Sequence, residues 1–338
     1  MKKSLLKKFL FGCIILSMFS SINYVNAEES ITSSVSTESL FTQEEITRIK
    51  EIQTKKEEIG ISKFKGDPFE VSADTANFYQ GKLKKEFLKD GENSINYARF
   101  LAGLPAVEMT DEKNQQAQYG SLILDNIQQL NHTPQNPGNI PKDIFSKGYD
   151  VTSTSNLGTG YSSLFDFNKH CLNDSDNGNI DRVGHRRWLL SPKLKYIGMG
   201  YLNGYCATMV FDSSANTKKD IIMWPAEGVF PLDMFEKEQA WSIHIPKESN
   251  YKISSKSAVK ITLTRAKDGK QWIFDKLSDS VEANYFNIET NNYGYCSAII
   301  FRPDVEEYTN GDEFSVKVEG MKNILEYKVK FFDDNISK

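Results

Sequence analysis

The sequence predicts an α+β protein in which a region of mixed helices and strands is followed by a small all-β sandwich. Up to about residue 212, apolar residues recur mainly at helical spacing, with a few short strand-like runs near the end of that part. Beyond the polar stretch 213–220 only strand-like runs remain, seven of them in about a hundred residues, the density expected of a sandwich. Length agrees, because a chain of 338 residues exceeds one typical core and suggests two domains.

The first segment decides the compartment. Lys2, Lys3, Lys7 and Lys8 precede an apolar run from Phe9 to Phe19, and Val25-Asn26-Ala27 follows, which predicts a secretory signal peptide over residues 1–27. The run is shorter than the roughly 20 residues that span a bilayer, so a signal is favoured over an anchor. Leu10-Phe11-Gly12-Cys13 lies inside the apolar run, not at its end as a lipoprotein box would. No later stretch is long and apolar enough to span a membrane, so the expectation is a secreted, extracellular protein.

Removing residues 1–27 takes four lysines and no acid from the 41 basic and 45 acidic residues, leaving a formal charge of −8. That balance does not steer toward nucleic acid or anionic lipid. Cys171, Cys206 and Cys296 remain, so at most one intramolecular disulfide can form. The domains must rely on ordinary apolar cores.

Residues 28–68 form a leader. Positions 28–40, rich in Ser, Thr and Glu, cannot offset their ordering entropy and predict a flexible segment. Thr42 with Glu44 and Glu45 then opens a charged helix to Ile59, whose thin stripe of Ile46, Ile49 and Ile52 suggests a mostly solvated element.

The first domain is expected over residues 69–215. Ile95, Ala98, Leu101 and Ala102 share a helical face that stops at Gly103 and Pro105. A second helix opens at Thr110 with Asp111 and Glu112 in its first turn, and its apolar positions to Leu130 deliver His132 just past the last turn. Pro134, Pro137, Gly138 and Pro141 then enforce a loop. A third helix is predicted around Leu164 to Leu172 and a fourth from Arg182 to Leu190, stopped by Ser191-Pro192 and carrying His185. Strands over 196–202 and 206–212 close the domain. The second domain, 220–338, is expected to hold strands over 240–245, 258–265, 271–277, 284–289, 297–302, 314–319 and 325–332. Val259, Ile261 and Leu263 alternate with Lys260, Thr262 and Thr264, one buried face and one wet.

Two histidines, each at a helix end or on a helix face, can share a cleft, polarise a ligand or hold a divalent ion such as zinc; each can equally cap a helix end. The succession of motifs favours the cleft. Asn96 to Pro105, Gln116 to Gly120, Asn131-His132-Thr133-Pro134, Ser155-Asn156-Leu157-Gly158 and Gly184-His185-Arg186-Arg187-Trp188 follow in that order. Together they resemble the CAP superfamily, the secreted SCP-like proteins (cysteine-rich secretory protein, antigen 5, pathogenesis-related 1), with the bacterial branch fitting best. The similarity covers roughly Phe69 to Asp212. It implies a CAP-like αβα sandwich with a central antiparallel sheet, here followed by an Ig-like or fibronectin-like sandwich. It also implies a surface cleft lined by two histidines and usually two acids.

His132 and His185 match the two histidines. The family's Gly-Glu-Asn segment falls on Thr154-Ser155-Asn156, so Ser155 stands where a glutamate is usual. Asp174 is the candidate for the second acid, with Asp176 and Asp181 as neighbours. A serine accepts no proton at neutral pH, which weakens any general-base mechanism. Two imidazoles and Asp174 would give zinc only a weak, open site, with His132 and His185 as its metal ligands. Arg186 and Arg187 are expected on a solvated helix face, or Arg186 in an ion pair with Asp181, and where they lie close to His185 they disfavour its protonated form. Trp188 is expected in the core.

Other chemistry finds less support. Cys171 adjoins His170, but consecutive helix residues point apart and the position reads as buried. No Gly-x-Ser-x-Gly elbow occurs, Gly158-Thr159-Gly160 lacks the third glycine of a nucleotide loop, and the run from Asp174 lacks a calcium loop's closing glutamate. The expected function is binding of a small or extended ligand (lipid, peptide or glycan) in the two-histidine cleft. A peptidase-like hydrolase using the same cleft, and a surface-interaction protein acting through the β-sandwich, are the alternatives.

Overall fold

The computed structural model describes residues 40–60, 62, 64–278 and 284–334. The expected signal peptide, and the flexible leader up to residue 39, lie outside the described residues. The described residues fall in one compact unit.

Helix α1 (Gln43–Ile59) begins with a capping box: the Thr42 hydroxyl accepts from the Glu45 amide, and the Glu45 carboxylate accepts from the Thr42 amide. Nine of its 17 residues are exposed, as its charge content predicts, and its thin stripe docks on the fold. Ile49 and Ile52 are buried, Lys56 is ion-paired with Asp233 and Asp334, and Lys330 meets Glu45 at 3.0 Å. A thin stripe is enough when long-range ion pairs close around it.

A two-stranded ribbon, β1 (Phe69–Val71) with β2 (Lys82–Leu83), leads into α2 (Lys85–Leu101). After β3 (Glu108–Met109), α3 (Asp111–Ile127) is capped by the Thr110 hydroxyl and ends where Gln128 turns left-handed. Helix α4 (Lys142–Thr152) and strand β4 (Ser155–Gly158) follow, then α5 (Leu164–Asn173), α6 (Gly184–Leu189), β5 (Tyr196–Leu202) and β6 (Tyr205–Met209). The sheet order is β3-β5-β6-β4, antiparallel except for the β3 and β5 pair. Gly198 and Gly200 let one face lie directly under α3, since a Cβ on either would come within 2.3 Å of the carbonyl oxygen of Lys113 or Ala117. On the other face, Met199 meets Gly91 of α2 and Asn168 of α5. Helices therefore cover both faces of this sheet.

The remaining strands are β7 (Ile222–Trp224), β8 (Gly228–Pro231), β9 (Trp241–Pro246), β10 (Lys260–Arg265), β11 (Gln271–Phe274), β12 (Tyr285–Glu289), β13 (Cys296–Arg302), β14 (Glu313–Glu319) and β15 (Leu325–Phe332). They form sheets ordered β11-β10-β14-β15-β8 and β12-β13-β9-β7, antiparallel apart from β8 with β15. Ile261 and Leu263 are buried and pair with buried Val318 and Val316, while Lys260 is exposed. Aromatic rings join the two sheets: Trp241 of β9 packs on Phe301, Phe314 and Phe331, and its indole N–H donates to the Tyr308 hydroxyl at 2.8 Å. Among the described residues, no helix is long and apolar enough to cross a membrane.

Candidate functional site

The left-handed turn at Gln128 ends α3 and carries the chain to His132, whose Nδ1 lies 2.7 Å from the Thr152 carbonyl at the end of α4. A carbonyl only accepts, so Nδ1 carries a proton and Nε2 is the ring nitrogen left for other partners. Thr152 answers by donating its hydroxyl toward the His132 carbonyl at 3.3 Å.

His185, the second residue of α6, keeps about a quarter of its side chain exposed and places Nδ1 2.7 Å from Asp174 Oδ1. The other carboxylate oxygen of Asp174 accepts the Arg186 amide at 3.2 Å, so one buried acid orients the imidazole and caps the first turn of its helix. Burial pulls the His185 pKa down, the Asp174 carboxylate pushes it up, and Arg182 opposes; the outcome is a value above the ordinary one. Arg186 and Arg187 are not among its largest causes.

Strand β4 carries the next two residues. Ser155 is buried and its hydroxyl has no partner among the described residues. Asn156, also buried, donates its amide to the His185 carbonyl at 3.1 Å. Both histidines are thus tied to one segment, 152–156, His132 through Thr152 and His185 through Asn156. Of the other acids, Asp176 is engaged by Gly178 and Asn179, and Asp181 pairs with its neighbour Arg182 at 2.8 Å.

Arg186 and Arg187 are corrected from solvated to fully buried, and Asp181 is not their partner. Arg186 donates to the carbonyls of Leu172, Asn173 and Ala240 and to Ser242 Oγ. Arg187 pairs with Glu289 and donates to the carbonyls of Arg182, Asn291 and Cys296. Trp188 is half-buried, its ring 4.1 Å from that of Phe211, which is 49% exposed. Nothing in the local sequence marked Phe211, Glu289 or Tyr293 as neighbours of this helix.

Cys171, Cys206 and Cys296 are free and buried. Burial pushes the Cys171 thiol well above its ordinary pKa, so it is not an accessible thiolate. Among the described residues, no three His, Cys, Asp or Glu side chains are grouped so as to hold a metal ion. With Nδ1 of His132 on a carbonyl and Nδ1 of His185 on Asp174, the two Nε2 atoms are what these rings offer a metal, fewer than the three or four protein ligands zinc takes. The arrangement can present two Nε2 atoms, one on a carboxylate-oriented ring that protonates readily, to hydroxyl or anionic groups of a ligand.

Residues 92–211 match the family model described as CAP, the cysteine-rich secretory protein family, and form a CAP-family domain. No curated protein and no solved structure matches the chain.

Proposed function

We propose that this is a secreted protein whose CAP-family domain, of the bacterial kind, binds a small or extended ligand (lipid, peptide or glycan) at His132 and His185, with Ser155, Asn156 and Asp174 lining or shaping the site. In this reading the CAP-family domain extends over residues 69–215 and an Ig-like or fibronectin-like sandwich over 220–338. The observation that carries the binding role is the Asp174 to His185 contact at 2.7 Å beside a segment that also holds His132. An imidazole oriented by a buried carboxylate is a preorganised hydrogen-bonding group.

Binding is favoured over turnover for two reasons. Ser155 occupies the place of an acid, so one of the two carboxylates that a general acid and base pair would use is missing. The buried, high-pKa Cys171 is unsuited to nucleophilic attack.

The test is equilibrium binding of palmitate, a mixed peptide library and N-acetylglucosamine oligomers to residues 28–338, beside a His132→Ala, His185→Ala double variant. Loss of two hydrogen-bonding groups is expected to weaken at least one of these ligands by about tenfold or more. A folded double variant that keeps every affinity of the parent would remove both histidines from the binding site.

A further inference from the structure

We propose that the C-terminal β-rich segment is a built part of the histidine site, with Glu289 as the positioning residue that fixes the helix carrying His185. The proposal rests on the reading of His185 as a ligand-facing group.

Helix α6 cannot hold itself in place. Six residues fall well short of the length at which a helix persists in water, and its N-cap is Val183, a β-branched residue at φ +40° with no side-chain oxygen to offer. Asp174 caps it from outside. Asn156 holds its His185 carbonyl and Arg99 its Leu189 carbonyl. Further anchorage comes from the two side chains that follow His185, and more than half of their acceptors lie in the C-terminal segment. Arg186 reaches Ala240 O at 2.7 Å and Ser242 Oγ at 2.9 Å, both more than fifty residues away in sequence. Its Nε donates to Leu172 O at 2.6 Å, fixing the residues just before Asp174. Arg187 pairs with Glu289 and donates to Asn291 O at 2.6 Å and to Cys296 O.

The turn Tyr293–Tyr295 then closes over the helix. Gly294 adopts φ +59°, and a Cβ there would stand 2.0 Å from the Arg187 carbonyl oxygen, so only glycine permits this approach. The Tyr293 ring lies 5.3 Å from the Arg187 guanidinium and would be 3.2 Å from a Cβ on Gly184. The residue before His185 and the two after it are therefore all gripped from the C-terminal side. Among the described residues, Glu289 is the acid ion-paired with either guanidinium. Removing it leaves Arg187 buried without a counter-charge, so that side chain must move and α6 must move with it.

The test uses residues 28–338. The hydrogen-bonded Nδ1–H proton of His185 is observed by NMR and assigned by its loss in Asp174→Asn. Hydrogen exchange of the amides in 184–189 is compared with that of 241–246 in the same molecule. Glu289→Ala is expected to abolish the Nδ1–H signal and to speed exchange over 184–189 by about tenfold or more, while 241–246 changes less than about twofold. Glu289→Gln, which keeps shape and an acceptor, is expected to restore much of the signal. An unchanged signal with unchanged exchange over 184–189 in Glu289→Ala overturns the proposal, as does acceleration of both segments together, which would mean a general loss of stability. Should Glu289→Ala fail to fold, Tyr293→Ala at a half-buried position of the same clamp takes both readings with the same criteria. Neither reading involves a ligand, so a failed clamp leaves the binding proposal standing, and a failed binding test leaves the clamp standing.

Discussion

His244 is buried in β9 with Ser242 Oγ 3.0 Å from Nε2 and with Nδ1 lacking a partner among the described residues. Ser242 Oγ also accepts from Arg186, and with its second lone pair and its own proton it satisfies Nε2 in either neutral tautomer. Burial first, then the charges of Arg187 and Arg186, push its pKa well below the ordinary value. His185 is also partly buried but has a carboxylate beside it, and its pKa rises. The two residues therefore oppose each other in pH dependence. The stability that His185 contributes is fully present below pH ~6.5 and is lost as pH rises through its elevated pKa. For His244 the unfolded chain takes up a proton below pH ~6.5 that the folded chain refuses, so its contribution is present above that pH and lost on acidification. Subtracting a variant isolates the second effect, since His185 is common to both proteins. The stability gap between the parent and His244→Gln is expected to narrow by about 2 kcal/mol between pH 7 and pH 5. Urea midpoints at the two pH values measure it, and a gap that stays constant would mean that His244 is not held neutral.

Helix α3 lies on β5 at backbone contact distance, and two glycines make this possible. A Cβ on Gly200 would stand 2.3 Å from the Ala117 carbonyl oxygen, an atom locked in the helical hydrogen-bond ladder. Because backbone cannot yield as a side-chain tip can, Gly200→Ala is expected to cost about 1–3 kcal/mol, read as a lower urea midpoint with an unchanged slope. The same local logic separates the elements that could be read in the sequence from those that could not. Helix α3 was legible because Thr110, Asp111 and Glu112 state its start in three consecutive residues. Helix α4 was not: Gly148 sits in its middle and lowers its propensity, yet a Cβ there would come within 2.7 Å of the Tyr119 carbonyl oxygen, so the glycine serves the crossing of α3 and not the helix itself. Strand β10 was legible from the alternation of Ile261 and Leu263 with polar neighbours. Strands β7 and β8 were not, being three and four residues long. Helix α1 and its exposed face were legible from its cap and charge, but its docking depends on Asp233, Asp334 and Lys330, which only the fold brings near.

The CAP-family match ends at residue 211, but the physical unit does not. One continuous apolar core runs from Phe41, just before the N-terminal helix, and Ile52 within it, through Leu172 and Leu189 to Phe331 in the last strand. The histidines could be named from motif order because each sits in its own short signature, and Asp174 could be proposed because it follows the third helix, near whose end the family resemblance places the second acid. Glu289 and the turn Tyr293–Tyr295 carried no such mark, for their only relation to the site is spatial. That relation makes a prediction about cutting the chain. A fragment of residues 69–215 would leave Arg186 without Ala240 O and Ser242, and Arg187 without Glu289, Asn291 O and Cys296 O. Each buried guanidinium stripped of its acceptors costs on the order of 3–5 kcal/mol, against a total stability of about 5–15 kcal/mol for a typical domain. The fragment also loses the apolar partners of Leu172 and Leu189 that the C-terminal sheets supply. It is expected to show no cooperative thermal transition by circular dichroism and no exchange protection over 184–189, whereas residues 28–338 show both. A cooperative melt with protected amides in that fragment would mean that α6 finds its position without the sheets, and that the two arginines are anchored by the carbonyls of Leu172, Asn173 and Arg182 alone.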